Sequence, residues 1–274
     1  MDDPLLTAAD VLSRAGRVVV YTGAGVSKES GIPTFRDPET GLWAKYDPME
    51  LATEEAYLRQ PEFVWSWYEH RFGIVASAEP NPGHLAIAEL ETLLPRVVVV
   101  TQNVDGLHQR GGSTHVIELH GTMHTFRCMS GRHRDYTRDD LSGQTQKPPR
   151  CPDGELFRPE VVWFGESLPP DALHEAQQLA ARCDVVLVVG TSGVVYPAAT
   201  VPLIARRAGA VLIDVNPDRD ELAEVADVHL RGAGGEVLPE LVAAVKERLA
   251  GRRGATNPRG GGAGSPGVSR ARPA

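Results

Sequence analysis

Apolar residues fall along this chain in short, valine-rich runs at 18–21, 97–101, 116–119, 185–189 and 211–215. A continuous apolar run of that length predicts a strand buried on both faces of a parallel sheet. Helical spacing fills the gaps at 84–94, 172–182, 197–207 and 237–249. The alternation predicts an α/β fold, a Rossmann-like, doubly wound parallel sheet. Two stretches break the rhythm. Residues 38–80 carry Trp43, Trp65 and Trp67, and residues 121–160 carry Cys128, Cys151 and several arginines with little apolar periodicity. Both read as insertions into the sheet domain that together build a smaller inserted module over its edge. The sheet domain is then expected to comprise 1–37, 81–120 and 161–250. The Gly/Pro/Arg-rich stretch 251–274 is expected to be a disordered tail.

Charge narrows the function. The 274 residues hold 28 Lys+Arg against 36 Asp+Glu, a net charge of −8. Five of the arginines sit in the last 24 residues, so the body is more acidic than the total suggests. An acidic body argues against a specific nucleic-acid groove. No apolar run approaches the roughly 18 residues that cross a bilayer, and the start MDDPLLTAAD lacks a secretory apolar core. Three cysteines do not make a disulfide framework. A cytoplasmic, monomeric enzyme or binding protein with no membrane partner is expected.

Candidate chemistry clusters after the strands. The first runs into Thr22-Gly23-Ala24-Gly25-Val26-Ser27, where glycines at a strand-to-helix turn let backbone N–H groups approach a pyrophosphate. Lys28 stands where a dinucleotide fingerprint wants its third glycine, so a nucleotide site and a plain tight turn both remain open. Phe35 and Arg36 follow in a loop that offers a ring and a cation, or is an ordinary surface loop. The second strand ends in Thr101-Gln102-Asn103-Val104-Asp105-Gly106-Leu107-His108. Polar side chains there suit ribose hydroxyls and an amide, or else cap a helix. His120, before Gly121 at the next strand end, is a candidate general base or a structural imidazole.

These motifs, with Val161-Val162-Trp163-Phe164-Gly165-Glu166, Gly190-Thr191-Ser192 and Val215-Asn216-Pro217, occur in the order and spacing of the sirtuins. The chain resembles a bacterial sirtuin over roughly residues 5–248. The resemblance implies an NAD-dependent protein-lysine deacylase that consumes NAD and yields nicotinamide and 2′-O-acyl-ADP-ribose. It assigns Gly23, Ala24, Gly25, Ser27 and Arg36 to the NAD phosphates and nearby ribose, and Phe35 to the nicotinamide side. Gln102 and Asn103 fall to the nicotinamide ribose and Asp105 to the carboxamide. Gly190, Thr191, Ser192, Asn216 and Pro217 fall to the adenosine half, with Gly234 nearby. His120 becomes the catalytic base, assisted by Asn103. Val162, Trp163, Phe164, Gly165 and Glu166 would pair with the acylated substrate as an added strand. His84 and His108 are read as structural.

Two details refine the resemblance. Tyr68-Glu69-His70-Arg71 matches the Y-x-x-R motif of sirtuins that remove acidic acyl groups, and Ala52 matches the small residue that deepens their pocket. This implies desuccinylase and demalonylase activity, with weaker deacetylase activity. An isolated Tyr and Arg at i and i+3 more often just pack on a helix. The family's structural zinc needs two C-x-x-C pairs, yet Cys128-Met129-Ser130-Gly131 and Cys151-Pro152-Asp153-Gly154 each hold one cysteine. No metal is therefore expected, unless His124, His133 or Asp153 stands in. The alternatives are NAD-dependent mono-ADP-ribosyl transfer, through the same activated ribose carbon, and a non-catalytic NAD-binding regulator.

Overall fold

The computed structural model describes residues 3–34, 46–219 and 221–255. Its strands are β1 (Val18–Thr22), β2 (Val97–Thr101), β3 (Val116–Glu118), β4 (Gly121–Cys128), β5 (Phe157–Val161), β6 (Val185–Val189), β7 (Val211–Asn216) and β8 (Val228–Arg231). Six of them form one parallel sheet in the order β3-β2-β1-β6-β7-β8, and β4 pairs antiparallel with β5. The order reverses between β1 and β6, where Val18 lies beside Val185 and Thr22 beside Val189.

The valine runs become strands because both of their faces are covered. Val18, Val20, Val97, Val99, Val185 and Leu187 enter one apolar cluster with Leu90, Leu238 and Leu241 from helices Pro82–Leu93 and Gly234–Ala255. The alternate residues Val19, Tyr21, Val98, Val100, Val186 and Val188 enter another with Ala176, Val201 and Ala205 from helices Pro170–Ala180 and Thr200–Arg207. A third cluster draws Trp65, Trp67, Tyr68 and Phe72 of helix Pro61–Ser77 together with Phe126, Cys128, Cys151, Phe157 and Trp163.

Three local features differ from the sequence expectation. After Gly23 the chain enters a 3₁₀ helix, Ala24–Ser30, closed by Gly31 at φ 82°. The last helix runs on to Ala255, past the expected start of the tail, because Arg252 donates back to Ser13 O at 3.2 Å. β8, β4 and β5 carry no long apolar run, so periodicity misses them. Among the described residues, no helix is long and apolar enough to cross a membrane.

Candidate active site

Two loops interlock at the carboxyl ends of β1 and β6. Gly25 N donates to Gly190 O at 2.8 Å, and Gly23 N donates to Val189 O at 3.2 Å. Side chains are excluded here: a Cβ on Gly25 would stand 2.6 Å from Gly190 O, and one on Gly190 (φ 60°) 2.4 Å from Val26 N. The result is a side-chain-free cradle at the sheet's switch point, where open α/β sheets bind ligands and backbone closely approaches a pyrophosphate. This fits a dinucleotide. Gly234, opening the last helix, lies over it, its virtual Cβ 3.1 Å from Val189 Cγ1. Asn216 Nδ2 donates to Thr191 O at 3.2 Å, and Gln102 Nε2 to Thr191 Oγ1 at 2.9 Å. These bonds tie the ends of β2, β6 and β7 into one rim, with Ser192 and Pro217 in its loops.

Below the rim, Ser27 is the hub. Its hydroxyl donates to Asp105 Oδ2 at 2.8 Å and receives Asn103 Nδ2 at 3.0 Å. Asn81 N donates to His84 Nδ1 at 3.3 Å, which leaves His84 Nε2 as the N–H facing Ser27 Oγ at 3.4 Å. Asp105 Oδ1 also receives Leu107 N at 2.9 Å. Ser27, Asn103 and Asp105 are all buried, so their side chains are preset by protein partners.

A second buried chain runs beneath. Thr22 Oγ1 donates to Thr101 Oγ1 at 2.8 Å and lies 2.8 Å from His108 Nε2. Since the Thr22 proton is committed, His108 Nε2 is the donor. Burial, with His84 beside it, pushes the His108 imidazole down to about 3. Burial also lowers His84 to about 4, against the opposing pull of Asp105. Both imidazoles are thus neutral, and their rings meet edge to face at 4.9 Å.

His120 follows β3, with its Nδ1 2.9 Å from Gln102 O. Donation to that carbonyl fixes the tautomer and leaves Nε2 as the basic nitrogen. Burial lowers this imidazole from its ordinary value, and the Gln102 carbonyl opposes the shift. The chain can turn from His120 into β4 only because the next residue is Gly121 (φ 74°), whose virtual Cβ would be 1.9 Å from Glu160 O.

The segment after β5 closes the other side. Val162 N donates to His120 O at 2.8 Å and Phe164 N to Ala52 O at 2.9 Å. Trp163 N donates to Glu166 Oε2 at 2.8 Å, and Glu166 N to Trp163 O at 3.0 Å. Gly165 takes φ 88° in this turn. Glu166 grips Arg158 through both carboxylate oxygens, and the Arg158 guanidinium carbon lies 3.3 Å from the Trp163 ring centroid. Sequence reasoning missed Arg158. Its position inside β5, next to Pro159, carried no signal of burial.

Tyr68 and Arg71, one helical turn apart on Pro61–Ser77, are buried side by side with Ala52 nearby in the same cluster. The Tyr68 hydroxyl receives Trp163 Nε1 at 2.6 Å, and the rings stack at 6.4 Å. Burial raises the phenol to about 12, so it stays protonated. The Arg71 guanidinium sits 5.2 Å from the Trp67 ring centroid. Phe35 and Arg36 lie outside the described residues. Cys128 ends β4, at the opposite end from Gly121, and Cys151 lies in the loop before β5, in the same apolar cluster.

Comparison with known proteins bears on this geometry. The model of the Sir2 family matches residues 23–197. An NAD-dependent protein deacylase of Thermococcus kodakarensis is 50% identical over 252 residues, covering 89% of this chain and 97% of the relative. A Sir2 homolog solved as an NAD complex superposes with a TM-score of 0.83 at 46% identity, covering 91% of this chain and 95% of that one. A Sir2 structure with a p53 peptide and NAD+ superposes at 0.76 with 35% identity, covering 85% and 95%.

Proposed function

The chain belongs to the Sir2 family, and from that premise we propose that it is an NAD-dependent protein-lysine deacylase that favours acidic acyl groups. When bound, NAD would supply a labile nicotinamide–ribose bond and an ADP-ribose acceptor; with one water consumed, nicotinamide, free lysine and 2′-O-acyl-ADP-ribose are the products. The observation that carries the reading is His120. Its tautomer is fixed by the carbonyl of Gln102, whose side chain in turn donates to Thr191 on the rim of the glycine cradle.

Each side chain has a task in that reading. Gly23, Ala24 and Gly25 hold the phosphates, with Arg36 as the neutralising cation. Gly190, Thr191, Ser192, Asn216, Pro217 and Gly234 hold the adenosine half. Gln102 and Asn103 orient the nicotinamide ribose, Asp105 accepts the carboxamide N–H, and Phe35 shields the reacting carbon from water. His120 takes a ribose hydroxyl proton, which suits an imidazole kept neutral by burial. The segment Val162–Glu166 receives the substrate backbone. Its N–H groups at Val162, Trp163, Phe164 and Glu166 are already engaged inside the chain, so pairing would rely on the peptide's own N–H groups donating to carbonyls of the segment.

Acidic-acyl preference rests on Tyr68 and Arg71. The phenol accepts from Trp163 and so has its own proton to give a carboxylate. Arg71 supplies a guanidinium that binds a carboxylate bidentately. Ala52 leaves depth beside them.

The test is NAD-dependent nicotinamide release with matched acetyl- and succinyl-lysine peptides. Succinyl-lysine is expected to turn over faster. Arg71→Met should cut desuccinylation by at least about tenfold, the scale of one charge-assisted hydrogen bond, while deacetylation changes little. Equal losses on both peptides would refute the acidic pocket. Release that ignores the acyl peptide would favour ADP-ribosyl transfer instead.

A further inference from the structure

Cys128, at the end of β4, and Cys151, in the loop before β5, occupy matched turns. Gly131 N donates to Cys128 O at 2.9 Å, and Gly154 N donates to Cys151 O at 2.8 Å. Each glycine takes a positive φ, 74° and 84°, at the place where the resemblance calls for a second cysteine. Nearby donors form two triads. Cys128, Cys151 and Glu155 offer ligand atoms within 4.8 Å of one another, as do His133, Cys151 and Asp153. The triads share only Cys151, and among the described residues no four donors converge. A structural zinc is closed by four ligands, so this donor set does not fit one.

The carboxylates of both triads already have partners. Glu155 receives Ser130 N at 2.9 Å and Arg132 Nη2 at 3.0 Å. Asp153 lies 3.3 Å from Arg132 Nη2 and 2.9 Å from His133 Nε2. Arg132 Nε also donates to Ser130 Oγ at 3.3 Å. These contacts from Ser130, Arg132 and His133 run from residues 130–133, after the first turn, to the side chains of Asp153 and Glu155, around the second. The thiols lie inward of this layer. Cys128 and Cys151 are buried against Phe157 and Phe126, and Cys128 Sγ receives His133 N at 3.3 Å.

We propose that the Arg132 guanidinium joins the two turns in place of a metal ion, making the small module a metal-free variant clasped by an ion-pair cluster. The cation bridges the two carboxylates of the second turn, and the apolar cluster beneath encloses both cysteines. Arg132 is 63% exposed, and an isolated exposed pair contributes little. Here a guanidinium, a backbone N–H and an imidazole converge on two carboxylates, and the whole is open to salt screening. The second turn leads into β5 and then Trp163–Glu166, so a loosened clasp reaches the peptide side of the cleft and spares the glycine cradle.

The experiment uses the full chain purified without chelator, with metal analysis and thermal melting on the same preparation. Substoichiometric metal is expected, with a melting temperature that is indifferent to EDTA and falls as KCl is raised. Arg132→Ala should lower the melting temperature by a few degrees and remove most of that salt response; Arg132→Lys should restore part of both. Adding Glu155→Gln to Arg132→Ala should cost less than Glu155→Gln alone, because the partner is already gone. The KM for peptide should rise in Arg132→Ala while the KM for NAD holds. One equivalent of zinc whose removal lowers the melting temperature would overturn the proposal. So would an Arg132→Ala protein that melts and responds to salt like the parent.

Discussion

At the scale of single residues, the candidate site is organised by tautomers and proton positions. His120 and His84 are both imidazoles near the cleft, and their hydrogen bonds give them opposite duties. In His120, Nδ1 points at the Gln102 carbonyl and Nε2 is the base; in His84, Nδ1 accepts from Asn81 N, and Nε2 carries the proton toward Ser27. The pH–rate profile follows. In its proposed role as base His120 works in the neutral form, and burial lowers its pKa, so kcat/KM should fall on the acid side through an apparent pKa below the ordinary value of about 6.5. His120→Ala or His120→Tyr should still bind NAD, by calorimetry, while losing about a hundredfold or more in turnover. Normal turnover in either variant would remove His120 from the chemistry. His120 stood out in the sequence because it follows a strand run and precedes glycine, which left a base and a structural imidazole both open, and the resemblance to sirtuins favoured the base. The division of labour with His84 was not, since tautomers depend on partners far along the chain.

At the scale of elements, the two sides of the cleft are built by different physics. The cradle side is backbone against backbone, and Gly190→Ala tests it. The new Cβ would meet Val26 N at 2.4 Å in a residue already at φ 60°, a loss of about 2 kcal/mol or more in urea unfolding. The peptide side is held by one buried cation. Arg158 is 1% exposed. Burial pushes the Glu166 carboxyl up, but its bonds from Arg158 and Trp163 N outweigh this and hold it below the usual range. Glu166→Ala would strand that guanidinium, a loss of about 3 kcal/mol, and free the Trp163–Glu166 turn, so the peptide KM should rise as well. Unchanged stability would mean that the aromatic face of Trp163 and the Val161 carbonyl suffice to hold Arg158. The sheet was legible because a strand covered on both faces must be apolar throughout. β4 and β5 were hidden because Thr125, Arg127 and Arg158 take partners such as Glu160 and Glu166 that only the fold brings near.

For the whole molecule, the two buried imidazoles beneath the site make stability depend on acid. His108 stands near 3 and His84 near 4 in the folded chain, against about 6.5 when unfolded. Below pH 6.5 or so the unfolded chain therefore binds protons that the folded chain refuses, and stability declines as pH falls toward the folded values. Above the unfolded value this contribution is complete and flat. His108→Gln separates it from carboxylate effects, because an amide N–H still reaches Thr22 but does not titrate. The variant is expected to be somewhat less stable at neutral pH and to lose less between about pH 6.5 and 4.5 than the parent. Parallel curves for the two proteins would show that His108 is not the proton acceptor. The same pair contacts Thr22 and Ser27, and Thr22 in turn donates to Thr101, next to the glycine cradle and the proposed nicotinamide side. Acid that protonates the pair should thus disturb NAD binding before global unfolding, so the NAD dissociation constant should rise at a higher pH than the unfolding midpoint. Coincident transitions would mean that the buried pair opens only when the whole sheet does.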